Sequence, residues 1–300
     1  MTPRWIAVVV LATALSGCRS ARESDRGSQA AELNARVARL DAARAQPDAG
    51  QNRGAPLARW LLPASLREIS GLALTDDGRL FTHGDERGDV WEIDYRRGVL
   101  LKQFTLGTNG VEADFEGIAV VHDAIFMIAS DGMLYVFKEG ANRAHVAYEV
   151  HDSRLAKTCE FEGIAFDAPA NALLLACKNV RAKGLKGSLV IYRWMLANGG
   201  GLDTDPLTIP IAEAVGGNGW KDLHPSDITV DPTTGHYVII ASQEKALIEI
   251  TPTGEVVRSG PLPGTNAQPE GVAISRDGLL IVSDEATAGA ATIRLYRWPL

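Results

Sequence analysis

No stretch of this 300-residue chain is long and apolar enough to cross a bilayer as a helix. The longest uncharged run at the N-terminus, "WIAVVVLATALSG" at 5–17, falls well short of the roughly 20 residues that a span requires. Basic clusters are scarce as well. Lys and Arg number 30 against 37 Asp and Glu, a formal charge of −7, so no surface is built to neutralise phosphates and nucleic acid is not expected as a partner. A G-x-S-x-G elbow, a P-loop and H-E-x-x-H are all missing, which removes the commonest serine-hydrolase, NTPase and zinc-protease chemistries. Beyond residue 57 no amphipathic helix of four turns can be drawn. What is present is a chain 46% hydrophobic, enough to bury one large core or two modest ones, which excludes disorder of the whole.

The N-terminus carries a sorting signal. Arg4 precedes the short apolar run, which ends at Cys18, the layout of a signal peptide over 1–17. "LSGC" at 15–18 resembles the lipobox of bacterial lipoproteins, and the resemblance implies that Cys18 is acylated and heads the mature chain. Arg19 follows where that family's sorting rule reads an aspartate as retention. The implied location is the outer membrane, facing the periplasm, or the outer face of the cell membrane in a Gram-positive host. Residues 18–56 are poor in large apolar side chains and are expected to form a flexible tether. Within them "AAELNARVARLDAARA" has helix formers but only a weak apolar stripe, so a short spacer helix is the most it predicts.

From 57 to 300 a motif recurs: "EISGLAL" at 68, "DFEGIAV" at 114, "EFEGIAF" at 160, "HPSDITV" at 224 and "QPEGVAI" at 268, with starts 46, 46, 64 and 44 residues apart. Each copy leads through a turn to a second apolar run and then a third, as in "DVWEID", "MLYVFK", "SLVIYRW", "ALIEI" and "TIRLYRW". This is the period of a four-stranded propeller blade. The expected fold is all-β, a β-propeller of five blades of four antiparallel strands, with six possible if the longer third interval hides a degenerate blade. A fourth strand follows each of the first four copies and is missing after the fifth. "LARWLLP" at 57–63 has no other partner and is expected to supply it, closing the ring and removing two exposed edges.

Alternation places residues two apart on one side of a strand. One column then holds Ser70, Glu116, Glu162, Ser226 and Glu270, and another Glu68, Asp114, Glu160, His224 and Gln268. The second strands run back antiparallel and are expected to bring Asp85, Asp131, Lys178, Gln243 and Asp284 to the same channel mouth. Glycine after the column lets the inner strands approach near the axis. Carboxylates so crowded raise one another's pKa unless a cation or basic group neutralises them. Ca²⁺ would satisfy such a ring, held by Glu116, Glu162, Asp227 and Glu270 with Lys178 and His224 as internal counter-groups. The alternative is that the acids cap strand ends and face water.

The ordered set "EISGLAL", "DFEGIAV", "EFEGIAF", "HPSDITVDP", "QPEGVAIS" and "LLIVSDE" resembles the SdiA-regulated family of bacterial β-propeller proteins over roughly 60–300. That resemblance implies a secreted or membrane-anchored propeller, calcium at the channel, and no established reaction. The fourth copy departs from the pattern, with Ser226 and Asp227 in place of acid and glycine. The expected role is non-catalytic binding of a small ligand or an envelope protein at the acidic mouth. The alternative is a calcium-dependent hydrolase of the lactonase or phosphoesterase kind, because related propellers place acids and a His around a metal in this channel. Glu68, Glu116, Glu162, Asp227 and Glu270 would then be ligands, with His224 or Lys178 as acid or base.

Cys159 and Cys177 flank the first hairpin of the third copy on the face away from Glu162 and Lys178. They are near enough in register for a disulfide in an oxidising periplasm, or for two buried thiols. His83 and His236 fall in second strands and are expected to pack there. The basic run "KNVRAKGLKG" at 178–187 is expected to be a solvated loop at the channel face.

Overall fold

The computed structural model describes residues 16–46, 54–203 and 205–299; the expected signal peptide up to residue 15 lies outside them. Five antiparallel sheets stand around one axis. Blade 1 is built from Ile69–Leu74, Leu80–Gly84, Asp89–Asp94 and Val99–Leu106. Blade 2 runs Phe115–Val121, Ala124–Ala129, Met133–Lys138 and Tyr148–Asp152, and blade 4 runs Pro225–Val230, Tyr237–Ala241, Ala246–Ile250 and Val256–Pro261. The short strand His145–Val146, leading into blade 2's outer strand, pairs in parallel with the outer strand of blade 1.

Blade 3 consists of Cys159–Asp167, Ala172–Val180, Ser188–Met195 and an outer strand split into Gly201–Leu202 and Leu207–Pro210. The long third interval therefore holds this divided strand, the short helix Ile211–Ala214 and loops, and no sixth blade. Blade 5 is Pro269–Ile274, Leu279–Asp284 and Thr292–Arg297, completed by Ala58–Leu61, which pairs antiparallel with its third strand. The ring closes through the N-terminal strand as its sequence predicts.

Apolar side chains that alternate along the strands meet between sheets. Each neighbouring pair of blades shares one buried layer, such as Phe81, Phe104, Phe115 and Met127 between blades 1 and 2 and Val238, Leu247, Val272 and Tyr296 between blades 4 and 5. Where glycine holds the axis position, the inner strands leave no room for a side chain. A Cβ on Gly71 would lie 2.9 Å from the Cα of Gly117, one on Gly117 would lie 2.8 Å from the amide of Ile164, and one on Gly163 would lie 2.8 Å from the Cα of Asp227.

Residues 16–45 depart from the expected tether. Ser16–Ala45 is a single helix whose C-terminal part docks on the rim of blades 5 and 1. Leu40 is 1% exposed and enters the layer with Leu66, Tyr95 and Leu279. Arg36 donates to the carbonyl of Arg97 at 2.9 Å and lies over the Trp60 ring. Asp277 receives both Arg44, at 2.8 Å, and Arg96, at 2.7 Å. Arg297 caps the helix by donating to the carbonyls of Ala43, Arg44 and Gln46, where a cation also complements the helix dipole. One leucine and a set of arginine contacts do the anchoring, and hydrophobic periodicity does not register them.

Gly117→Ala drives its Cβ into backbone that cannot move aside, and it is expected to cost about 1–3 kcal/mol, the usual penalty of overpacking. Gly184, whose Cβ would meet nothing within 4 Å, is the control: Gly184→Ala leaves the thermal midpoint unchanged or slightly higher.

Candidate functional site

The acids are delivered to the channel mouth by a repeated irregularity. In every blade the pairing of the first two strands slips at the start of the inner strand: between Ile69 and Leu72, Phe115 and Gly117, Phe161 and Gly163, Pro225 and Asp227, and Pro269 and Gly271. Bulges of this kind re-aim a side chain. The residues passed over include Ser70, Glu116, Glu162, Ser226 and Glu270, the column expected from the sequence.

Three glutamates and one lysine form the first cluster. Lys178, at the end of blade 3's second strand, donates to Glu162 at 2.5 Å, and Ser242 donates to Glu270 at 3.2 Å. Glu162 is 5% exposed. Burial pushes the Glu116 carboxyl far above the usual carboxylate range, and the charges of Glu162 and Asp114 push the same way. Burial also raises Glu162, against the pull of Lys178. Glu270 is pushed up to about 7, again chiefly by burial. Burial would lower Lys178, but its bond to Glu162 and the fields of Glu116 and Glu270 raise it overall. Fully ionised, the three carboxyls would carry more negative charge than one lysine can balance, and they hold their protons to higher pH in consequence.

A second group adjoins the first on the side of blades 5 and 1, Glu285 lying within the field of Glu270. Burial and then Glu68 raise Asp85, whose Oδ1 is buried without a hydrogen-bond partner. Burial and then Asp85 and Glu68 raise Glu285. Gln268 donates its side-chain amide to Glu285.

Most of the other expected residues are engaged by partners of their own, Asp114 and Glu160 while still within reach of Glu116 and Glu162. Asp227, expected among the cation ligands, occupies the axis position that glycine holds in the other blades. It is fully buried and accepts from the amides of Ile228 and Val272, both at 2.8 Å, and of Leu72 at 3.4 Å. Its carboxyl is committed to the backbone of blades 4, 5 and 1, and burial drives its pKa well up despite these bonds. Ser226 beside it donates to the carbonyl of Pro269 at 2.9 Å.

Asp284 is also turned inside, paired with Arg294 and accepting from the Gln268 amide at 3.1 Å. Glu160 pairs with Arg181, Asp114 accepts from Ser130, His224 pairs with Glu244, and Asp131 caps the amide of Met133, while Gln243 is exposed. The residues that flank the mouth from the second strands are Asp85, Ser130, Lys178, Ser242 and Glu285. The sequence reading missed Ser130, Ser242 and Glu285 by one position, because the bulges shift the pairing.

Cys159 and Cys177 are joined by a disulfide, with a Cα separation of 5.7 Å, and both are buried behind the mouth. His83 is fully buried: its Nδ1–H donates to the carbonyl of Gly84 at 2.9 Å, and its Nε2 faces the amide of Gly71 at 3.3 Å. Burial pushes it down to about 4, so it packs as a neutral ring. His236 pairs with Glu249.

Among the described residues no three His, Cys, Asp or Glu side chains converge closely enough to hold a metal ion. Asp227 is engaged by amides and Glu162 by Lys178, so this donor set does not form the six-to-eight-oxygen shell that Ca²⁺ takes.

A group raised in the folded state supplies stability that is complete below its unfolded pKa and is lost as pH climbs through the folded value. Glu116 is such a group. Glu116→Gln should therefore raise the unfolding midpoint relative to wild type by several degrees at pH 9 and by little at pH 5. A difference that does not grow with pH would show that Glu116 ionises freely.

Solved structures share the architecture. Myxococcus xanthus glutaminyl cyclase is 12% identical, with 81% of this chain and 96% of that one covered and a TM-score of 0.52. The PQQ-bound aldose sugar dehydrogenase of Streptomyces coelicolor is 14% identical, with coverage of 80% and 98% and a TM-score of 0.51. A luciferin-regenerating enzyme is 10% identical, with coverage of 82% and 96% and a TM-score of 0.50. At these identities the likeness is one of fold. No curated protein matches the chain. The model of the SdiA-regulated family matches residues 217–297, the stretch that carries the last two repeat motifs, so the resemblance read from those motifs holds there.

Proposed function

We propose that this protein is a binding propeller of the cell envelope whose acidic mouth receives a cationic group of a small ligand or of a protein partner. The observation that carries the reading is the convergence of Glu116, Glu162 and Glu270 on Lys178. Burying like charges is costly, and the cost falls when an opposite charge enters. An ammonium or guanidinium can share these carboxylates through hydrogen bonds without the compact oxygen cage that calcium requires. Asp85 and Glu285, beside Glu270 on the side of blades 5 and 1, supply a second contact for an extended cation.

The anchor belongs to the same proposal. Cys18, in the first turn of the N-terminal helix, would carry the lipid that holds the domain on the outer membrane, facing the periplasm. The docked end of the helix lies at the rim remote from the acids, which leaves the mouth open to the aqueous side. Among the described residues no helix is long and apolar enough to cross a membrane. The calcium-dependent hydrolase reading fits less well, because it would draw on Asp227 and Glu162, both already engaged.

The test is thermal unfolding of the full chain, titrated separately with argininamide, spermidine and Ca²⁺. Saturating one site at about 100 times its Kd stabilises the fold by about 2.7 kcal/mol, a rise of several degrees for a domain of this size. The organic cations are expected to give that rise, and Glu162→Gln with Glu270→Gln to abolish it. A rise with Ca²⁺ alone would restore the calcium reading in place of this one, and no shift with any of the three would overturn cation binding.

A further inference from the structure

A cavity of about 780 Å³ lies at the end of the channel away from the acids. The inner strands start at the acidic mouth and end here. Two apolar rings line the cavity. Leu72, Ile118, Ile164 and Ile228, one residue beyond the axis position, are 1–2% exposed and close its throat. Two residues further on, Leu74, Val120, Phe166, Val230 and Ile274 form the wider ring, and all but Ile274 are only partly buried. Asp227 and the amides it holds lie beyond the throat, toward the acids. Large apolar side chains facing water in a concave, closed-bottomed space are what small-molecule sites present, and such sites usually measure roughly 300–1,000 Å³.

The rim decides the class of ligand. Its turns carry four acids, and each has a partner. Asp76 pairs with Arg276 at 2.7 Å, Asp77 with Arg79 at 3.1 Å, and Asp277 with Arg44 and Arg96. Asp231 accepts from the Trp298 indole and the Thr233 amide, both at 2.8 Å. Three of these acids are paired with arginines, some of which Asp41 and Glu139 share, and the fourth is held by neutral donors, so no carboxylate of these turns is left unpartnered to hold a charged head. Thr229 on the wall and the exposed His122, whose ring stands edge-on to Phe166 at 5.8 Å, offer hydrogen bonds to a neutral polar group.

We infer that this funnel is a second ligand site, separate from the acidic mouth, that takes an uncharged apolar molecule bearing a hydroxyl or carbonyl. The two sites differ in chemistry as well as position: one gathers carboxylates, and the other gathers aliphatic side chains beneath a rim whose acids are already partnered. The inference does not depend on the cation reading of the mouth.

The test is a fluorescence titration of the full chain with N-phenyl-1-naphthylamine, a neutral apolar probe, followed by competition with dodecanol, dodecanoate and dodecylammonium. Saturable binding is expected, with dodecanol displacing the probe at least about tenfold better than either charged analogue. Val120→Glu and Phe166→Glu, on the partly exposed ring, are each expected to weaken the probe about tenfold or more, and Gln243→Ala, at an exposed position of the acidic end, to leave it unchanged. Absence of saturable binding to the wild-type chain overturns the proposal whether or not the variants fold. So does displacement by the charged analogues as effective as that by dodecanol, or a loss of probe binding that follows Gln243→Ala.

Discussion

The close approach of five inner strands at the axis constrains everything else in this protein. Four glycines and one aspartate hold that position. Where Gly71, Gly117 and Gly163 stand, a methyl group would run into the backbone of the next blade. At the fourth blade the rule is broken by Asp227, which fills the space with a carboxyl and ties it to three amides from blades 4, 5 and 1. A side chain able to accept several backbone N–H groups can replace glycine there because the amides near an axis need acceptors. The exception therefore serves the same end as the rule, which is to pack the ring around its centre.

Tight packing at the axis has opposite consequences at the two ends of the channel. On one side the strands reach the axis through bulges, and each bulge turns a polar or acidic residue toward the mouth. Because the strands converge there, those residues are crowded and lose water, which is why burial heads the causes of the raised pKa at Glu116, Glu162 and Glu270. On the other side the strands diverge and the same alternation presents Leu, Val, Ile and Phe to a widening space. The disulfide behind the mouth joins the two strands that carry Glu162 and Lys178. It holds together the hairpin in which the pairing slips twice, between Glu160 and Phe161 and again before Gly163.

Much of this was legible in the sequence. Five copies of one motif, a lone apolar strand at 57–63 and the recurrence of "YRW" in two blades point to the propeller and its closure, because each follows from strand period and edge pairing alone, while the choice of five blades over six waited on the split outer strand of blade 3. The column of Glu116, Glu162 and Glu270 was visible for the same reason. Bulges hid the rest: one extra residue in the inner strand moves its partner by one, so Glu285 takes the place expected of Asp284. The role of Asp227 depends on amides from blades distant in sequence, and the docking of the helix on arginine contacts and a single leucine. Neither leaves a periodic trace. The single-residue exception to the motif in the fourth copy was itself the pointer to the axis, but it reads equally as a ligand or as a structural acid until the amides around it are seen.

The central claim is that the mouth holds desolvated glutamates sharing one lysine. Carboxyl-carbon NMR titration of Glu116, Glu162 and Glu270, assigned by single Gln substitutions, measures this directly. The structure predicts that all three titrate above the ordinary glutamate range, Glu116 highest, with mutual coupling that broadens each curve. Three simple curves centred near the ordinary glutamate value of 4.5 would mean that the carboxylates are solvated and independent, and that the mouth is not the crowded, water-poor site described.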